Sequence, residues 1–195
     1  MSTEPTHLYT LDEYFALEHA GEARYEYWDG EIICMSGGSR RHSRIGGRVY
    51  QLLANHLEQQ RSCEAFTADQ AVKNPSPYPP YFYPDATVAC GEAKFADVRG
   101  IDVLTNPTLL VEVMSPTSRQ RDKKNKLEFY RKISSLKEYL IIDQDQPLVI
   151  LHTKQQDDTW LTSTFRDLGA EVTLSSIGYI LPLREIYATV KFDQA

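Results

Sequence analysis

The sequence predicts a mixed α/β domain in which a central, mixed β-sheet is flanked by helices and extended by β-hairpins. Three observations carry that reading. Short apolar runs rich in β-branched and aromatic residues, at 81–89, 109–114 and 138–143, are bounded by turn residues, as strands are. Two stretches have apolar residues at helical spacing, and Gly-, Pro- and Asp-containing turns separate the runs. The 195 residues supply one sizeable core and little more, so residues 1–195 are read as a single domain. With 42% hydrophobic and 25% charged residues the composition is that of a globular chain, which excludes disorder as the default.

Taken in order, Thr10-Leu11-Asp12-Glu13 is a capping-box pattern and starts a helix running to about Ala20. Residues 25–35 contain Asp29-Gly30 between apolar flanks, which predicts a hairpin turning there. A loop rich in Ser and Gly follows. Ile45, Val49, Leu52, Leu53, His56 and Leu57 share one helical face and predict a helix from about Arg41 to Gln60. Gly46-Gly47 inside it marks a weak point or a close backbone approach. Residues 63–72 read as one strand. The four prolines between Asn74 and Pro80 require an extended loop, which delivers the chain into the strand around Asp85. Residues 91–107 read as an irregular connection to the strand of Glu112. A helix is expected over 117–133, then a hairpin from 138–143 and 148–152 about Asp145-Gln146-Pro147. Short strands at 160–165 and 171–174 precede a last helical turn near 183–187.

Charge and cysteines bound the function. The net charge of −6 argues against a simple nucleic-acid coat protein. Positive charge is nevertheless concentrated at Arg40, Arg41, Arg44 and Arg48, and again at Arg119, Arg121, Lys123, Lys124 and Lys126. Each cluster is a solvated helix face or a phosphate-binding patch beside a site. No apolar stretch reaches the length of a membrane span, and the polar first residues lack the apolar core of a signal peptide. Cys34, Cys63 and Cys90 are odd in number and widely spaced, which fits reduced, buried thiols in a cytoplasmic protein.

The chemistry gathers on three carboxylates and a lysine. Asp85 and Glu112 each interrupt an apolar strand, and a buried acid is costly unless its charge is compensated. If their strands pair, both carboxylates can point at one divalent cation, and Mg²⁺ or Mn²⁺ bound there turns their repulsion into binding. Such a cation activates a water and polarises a phosphoryl oxygen. Lys126, on the following helical stretch, can orient that water or stabilise charge on the phosphate. Glu26, from the first hairpin, can add a ligand or act on the water. Hydrolysis of a phosphodiester is the reaction these roles assemble.

Pro84-Asp85, Glu112-Val113-Met114-Ser115-Pro116 and Asp122-Lys126-Tyr130, in that order, resemble the Uma-type restriction endonuclease family of the PD-(D/E)XK nuclease superfamily. The resemblance covers most of the chain, including residues 25–31 with the following His42, residues 138–143 and residues 174–178. It implies a restriction-endonuclease-like core and a DNA endonuclease using Mg²⁺ or Mn²⁺, in a family whose members are often dimeric. Glu26, Asp85, Glu112 and Lys126 would then be catalytic, with Asp85 and Glu112 as metal ligands. Arg41, His42, Arg44, Arg119 and Lys123 would hold the nucleic acid. One departure stands out: the superfamily pattern has lysine two residues after the second acid, where this chain has Met114. Lys126 takes over that role only if its helix packs over the sheet.

Each residue also has a structural reading. Asp85 can be a turn acid, Glu112 a partner in a buried ion pair with Lys126 or an arginine, and Lys126 a solvated helix lysine. Glu26 can be an exposed hairpin residue or a partner for Arg24, and His42 a helix cap. Asp69 and Gln70 are candidates for supporting contacts. Tyr78, Tyr81, Phe82 and Tyr83 either stack on bases or pack around the prolines.

Overall fold

The computed structural model describes residues 7–21, 23–28, 30–35, 38–75, 81–116 and 125–192. Helix α1 (Leu11–Ala20) begins as its capping box requires: Glu13 N–H donates to Thr10 Oγ1 at 3.2 Å and Thr10 N–H to Glu13 Oε2 at 2.7 Å. Strands β1 (Tyr25–Trp28) and β2 (Glu31–Cys34) form the expected hairpin, with Gly30 at φ +88°; Asp29 lies outside the described residues. Helix α2 (Arg40–Glu58) follows, capped by Ser39.

Two expectations are corrected next. The single strand at 63–72 is two, β3 (Cys63–Thr67) and β4 (Ala71–Lys73), belonging to different sheets. After β5 (Tyr81–Phe82) and β6 (Ala86–Cys90), the irregular connection is a hairpin of β7 (Phe95–Val98) and β8 (Ile101–Leu104). Its turn holds Arg99 at φ 54° and Gly100 at φ 85°, the left-handed pair that joins strands tightly. Most of the proline-rich loop, residues 76–80, lies outside the described residues.

Strand β9 (Leu109–Met114) leads through α3 (Lys126–Tyr130) to β10 (Glu138–Asp143), then β11 (Val149–Lys154) and β12 (Trp160–Phe165). Of the helix expected over 117–133, residues 117–124 lie outside the described residues. A small pair, β13 (Glu171–Leu174) and β14 (Tyr179–Pro182), and helix α4 (Leu183–Ile186) complete the chain.

The expected single sheet is two sheets of six strands, in the orders β2-β1-β5-β4-β8-β7 and β12-β11-β10-β9-β6-β3. Alternation of side chains explains the layering. Tyr81, Ala71 and Val103 face α1, whereas their neighbours Phe82, Val72 and Leu104 face the second sheet. On that sheet Leu110, Met114 and Ile141 meet them, while Val111, Val113 and Leu140 turn to Ile45, Val49 and Leu53 of α2. The result is α1, first sheet, second sheet and α2, with α3 tucked between the sheets. Strands β9 and β10 are buried along their whole length because both faces are covered.

The cysteine expectation is also corrected. The β3–β6 register sets Cys63 directly opposite Cys90, and the two form a disulfide. Cys34 is the free thiol and is exposed. The cysteines therefore give no support to a cytoplasmic assignment. Among the described residues no helix is long and apolar enough to cross a membrane.

Candidate active site

Strand register assembles the acids. Strands β6 and β9 are antiparallel neighbours with Ala86 opposite Val111, so one residue further Asp85 reaches the level of Glu112. The Val113 N–H donates to Asp85 Oδ2 at 2.6 Å, which ties the bend before β6 to β9. On β1, Tyr27 faces α1, so the adjacent Glu26 faces the layer between the sheets. Glu112 lies between Leu110 and Met114 on its strand and points into the same layer from the opposite side.

Lys126 arrives by the crossover. Strands β9 and β10 pair in parallel, and a parallel pair needs a connection that returns over the sheet; here α3 lies in it. Its first residue, Lys126, is therefore set over β9. Lys126 Nζ donates to Glu26 Oε1 and to Glu112 Oε1, both at 2.8 Å, and lies 5.1 Å from the centre of the Phe82 ring. The three charged residues are 0%, 5% and 2% exposed for Glu26, Glu112 and Lys126. Tyr130, one turn on, donates its hydroxyl to the same Glu112 Oε1 at 2.8 Å. Burial, then the charge of Glu112, pushes the Tyr130 phenol well above its ordinary range, so it acts as a donor at neutral pH.

Glu26, Asp85, Glu112 and Lys126 border a cleft of about 850 Å³ that opens between α2 and the β1–β2 hairpin. His42 lines it with Nε2 3.5 Å from Asp85 Oδ1. Gly38 permits the close approach of His42, since a Cβ there would come within 2.8 Å of His42 Nδ1, whereas one on Gly46 would sit in ordinary contact, 3.6 Å from Asp85 Oδ1. At the mouth Arg24 is paired with Asp69, donates to the Ala68 carbonyl at 3.3 Å and lies over the Tyr83 ring.

Of the residues singled out in the sequence, Glu26, Asp85, Glu112, Lys126 and His42 meet in this one cleft. Arg41 and Arg44 do not line it. They point to the other side of α2 and donate to the carbonyls of Lys191 (3.0 Å) and Thr189 (3.1 Å), while Arg48 holds Glu185. Arg119 and Lys123 lie outside the described residues, as does Tyr78. Gln70 ties β4 to β8 through the Asp102 carbonyl, Tyr81 packs under α1, and Phe82 lies beneath Lys126. Sequence reasoning missed the Tyr130 hydroxyl contact and the place of Arg24 at the cleft. The spacing of Lys126 and Tyr130, four apart on one helix, was the available signal for the first.

Among the described residues no group of three or more His, Cys, Asp or Glu side chains is disposed to hold a metal ion. Mg²⁺ does not need such a cage: it commonly takes one or two carboxylates and completes its shell with water and substrate phosphate oxygens. Asp85 and Glu112, at one level of neighbouring strands and both lining an open cleft, fit that mode of binding.

A solved structure described as a nuclease of DUF820, "a putative nuclease" from Anabaena variabilis ATCC 29413, shares this fold. The TM-score is 0.68 at 22% identity, covering 86% of this chain and 91% of that one. The chain belongs to the Uma2 family, described as "Putative restriction endonuclease", whose model matches residues 11–183. Two proteins of Synechocystis sp. are similar over nearly their full lengths. Uncharacterized protein sll1609 is 35% identical over 178 residues, 90% of this chain and 97% of that protein. Uncharacterized protein slr1290 is 30% identical over 181 residues, 93% and 92% respectively.

Proposed function

We propose that this chain is an endonuclease that hydrolyses DNA phosphodiester bonds with Mg²⁺ or Mn²⁺ as cofactor. The observation that carries the reading is the convergence of Glu26, Glu112 and Lys126 at 2.8 Å contacts, with Asp85 alongside, in the lining of one cleft. Membership of a family described as restriction endonucleases supports DNA as the polymer.

Asp85 and Glu112 would hold the cation. When bound, it supplies a water of lowered pKa and a polarised phosphoryl oxygen. The chain's own groups do the rest. Lys126 carries a positive charge beside the acids, where it stabilises charge building on the phosphate or orients the attacking water. Glu26 holds the ammonium in place from the opposite sheet. Arg24 and His42 are placed to meet backbone phosphates entering the cleft. An acidic chain with few basic residues at its cleft among the described residues gains DNA contact by pairing, so the reading includes a homodimer, measurable by sedimentation.

One observation favours a second reading, a nucleic-acid-binding module without turnover. Met114, where the superfamily pattern has lysine, is packed in the core and contributes no charge. Nicking of supercoiled plasmid in Mg²⁺ or Mn²⁺, beside Asp85→Asn and Glu112→Gln, separates the two. Cleavage by the parent that falls by a factor on the order of 10² or more in both variants is expected. Metal binding without cleavage of plasmid, single strands or RNA overturns the endonuclease in favour of the module. Equal cleavage by parent and variants overturns the site.

A further inference from the structure

We infer that Tyr130 is a positioning residue that orients the Glu112 carboxylate for the divalent cation; the inference rests on the metal-dependent reading above. A carboxylate on a strand can turn about its last bond, and a ligand that turns binds a cation less well than one held still. Here one oxygen, Glu112 Oε1, receives two donors at 2.8 Å, the Lys126 ammonium and the Tyr130 hydroxyl. Two donors on one oxygen restrain the carboxylate more than either would alone. Groups that hydrogen-bond a metal-ligating carboxylate in this way commonly govern its affinity.

The helix makes the arrangement self-consistent. Lys126 and Tyr130 are four residues apart on α3, so they project on one side of it, toward β9. The Tyr130 ring is gripped edge-on by Phe82 from the first sheet (5.5 Å between centres) and by Tyr139 from β10 (5.1 Å). The ring is thus clamped by both sheets, and its hydroxyl holds Glu112. A strand-borne lysine would be set by its own strand. Lys126 instead comes from a short helix that must be docked, and Tyr130 docks it on the very acid that Lys126 meets.

Tyr130→Phe keeps the ring and its packing and removes only the hydroxyl. The test is calorimetric titration of the full chain with Mn²⁺, parent beside Tyr130→Phe, each checked by a thermal melt. Weakening of Mn²⁺ binding by about tenfold or more, with the variant still folded, is the expected result. Equal affinities in parent and variant overturn the positioning role while leaving the metal reading intact. A parent that binds no Mn²⁺ overturns both together. A variant unfolded at 25 °C would assign the hydroxyl to stability and overturn the inference as well.

Discussion

At the scale of residues, the site is a small set of charges held out of water. Lys126 stands between two carboxylates that are themselves buried, and its ammonium compensates charges that burial would otherwise make costly. Removing one partner from such a group is more damaging than never having built it. Lys126→Ala should therefore lose about 3–5 kcal/mol of stability. Urea denaturation of parent and variant measures this, and an unchanged midpoint would mean that water reaches the acids freely. Any loss of cleavage in Lys126→Ala has to be read against that measurement, whereas Asp85→Asn and Glu112→Gln retain shape. The residue types were legible in the sequence because an acid in an apolar strand asks for a partner. Which partner was not, since metal, lysine and arginine all answer the same electrostatic need.

At the scale of elements, the parallel pairing of β9 and β10 decides where the lysine goes. The crossover has to return over the sheet, and α3, riding in it, brings Lys126 and Tyr130 over Glu112. The next hairpin of this sheet carries a pH-sensitive group. His152 on β11 is buried against Tyr139 and bonded through Nδ1 to the Thr162 hydroxyl. Burial, and secondarily the Arg131 charge, lower its pKa from 6.5 to about 4. The unfolded chain therefore takes up a proton near pH 6.5 that the folded chain refuses until about pH 4. Stability is unaffected by this group above pH 6.5 and is lost as the pH falls through that window, by up to about 3 kcal/mol. Denaturant midpoints from pH 7 to pH 4 should fall less steeply in His152→Gln than in the parent; parallel slopes would refute the assignment.

Element boundaries were legible where a local signal existed. The Thr10–Glu13 box and the apolar face of α2 both did their work as read. The β7–β8 hairpin escaped because its left-handed turn is Arg99-Gly100, and arginine is not a residue that announces positive φ. The turn at residues 68–70 escaped because nothing in the run from 63 to 72 says that its two halves belong to different sheets.

At the scale of the whole molecule, two six-stranded sheets face each other and the cleft opens at one end of their shared layer. Arg41, Arg44 and Arg48 work at this scale, binding residues 185–191 to the outer side of α2. The same helix presents His42 and Gly46 to the cleft. The Cys63–Cys90 disulfide joins the edge strand β3 to β6, closing a loop with a sequence separation of 27. Closing a loop of that size stabilises by about 3.5 kcal/mol, or about 7–14 °C in Tm for a domain of this length. Thermal melts with and without dithiothreitol, beside Cys63→Ser with Cys90→Ser, should show that difference; identical melts would remove the bond from the stability of the native chain.

The sequence by itself determined the class of fold, the face of each long element and four residues that meet at one cleft. These follow from periodicity and from the cost of burying charge, both properties of a residue and its near neighbours along the chain. Only the tertiary structure decided that there are two sheets, that Cys63 meets Cys90, and that Arg41 and Arg44 turn away from the cleft. It also decided that Lys126 and Tyr130 share one oxygen of Glu112. Those outcomes depend on register and on crossover, which bring together groups far apart in sequence.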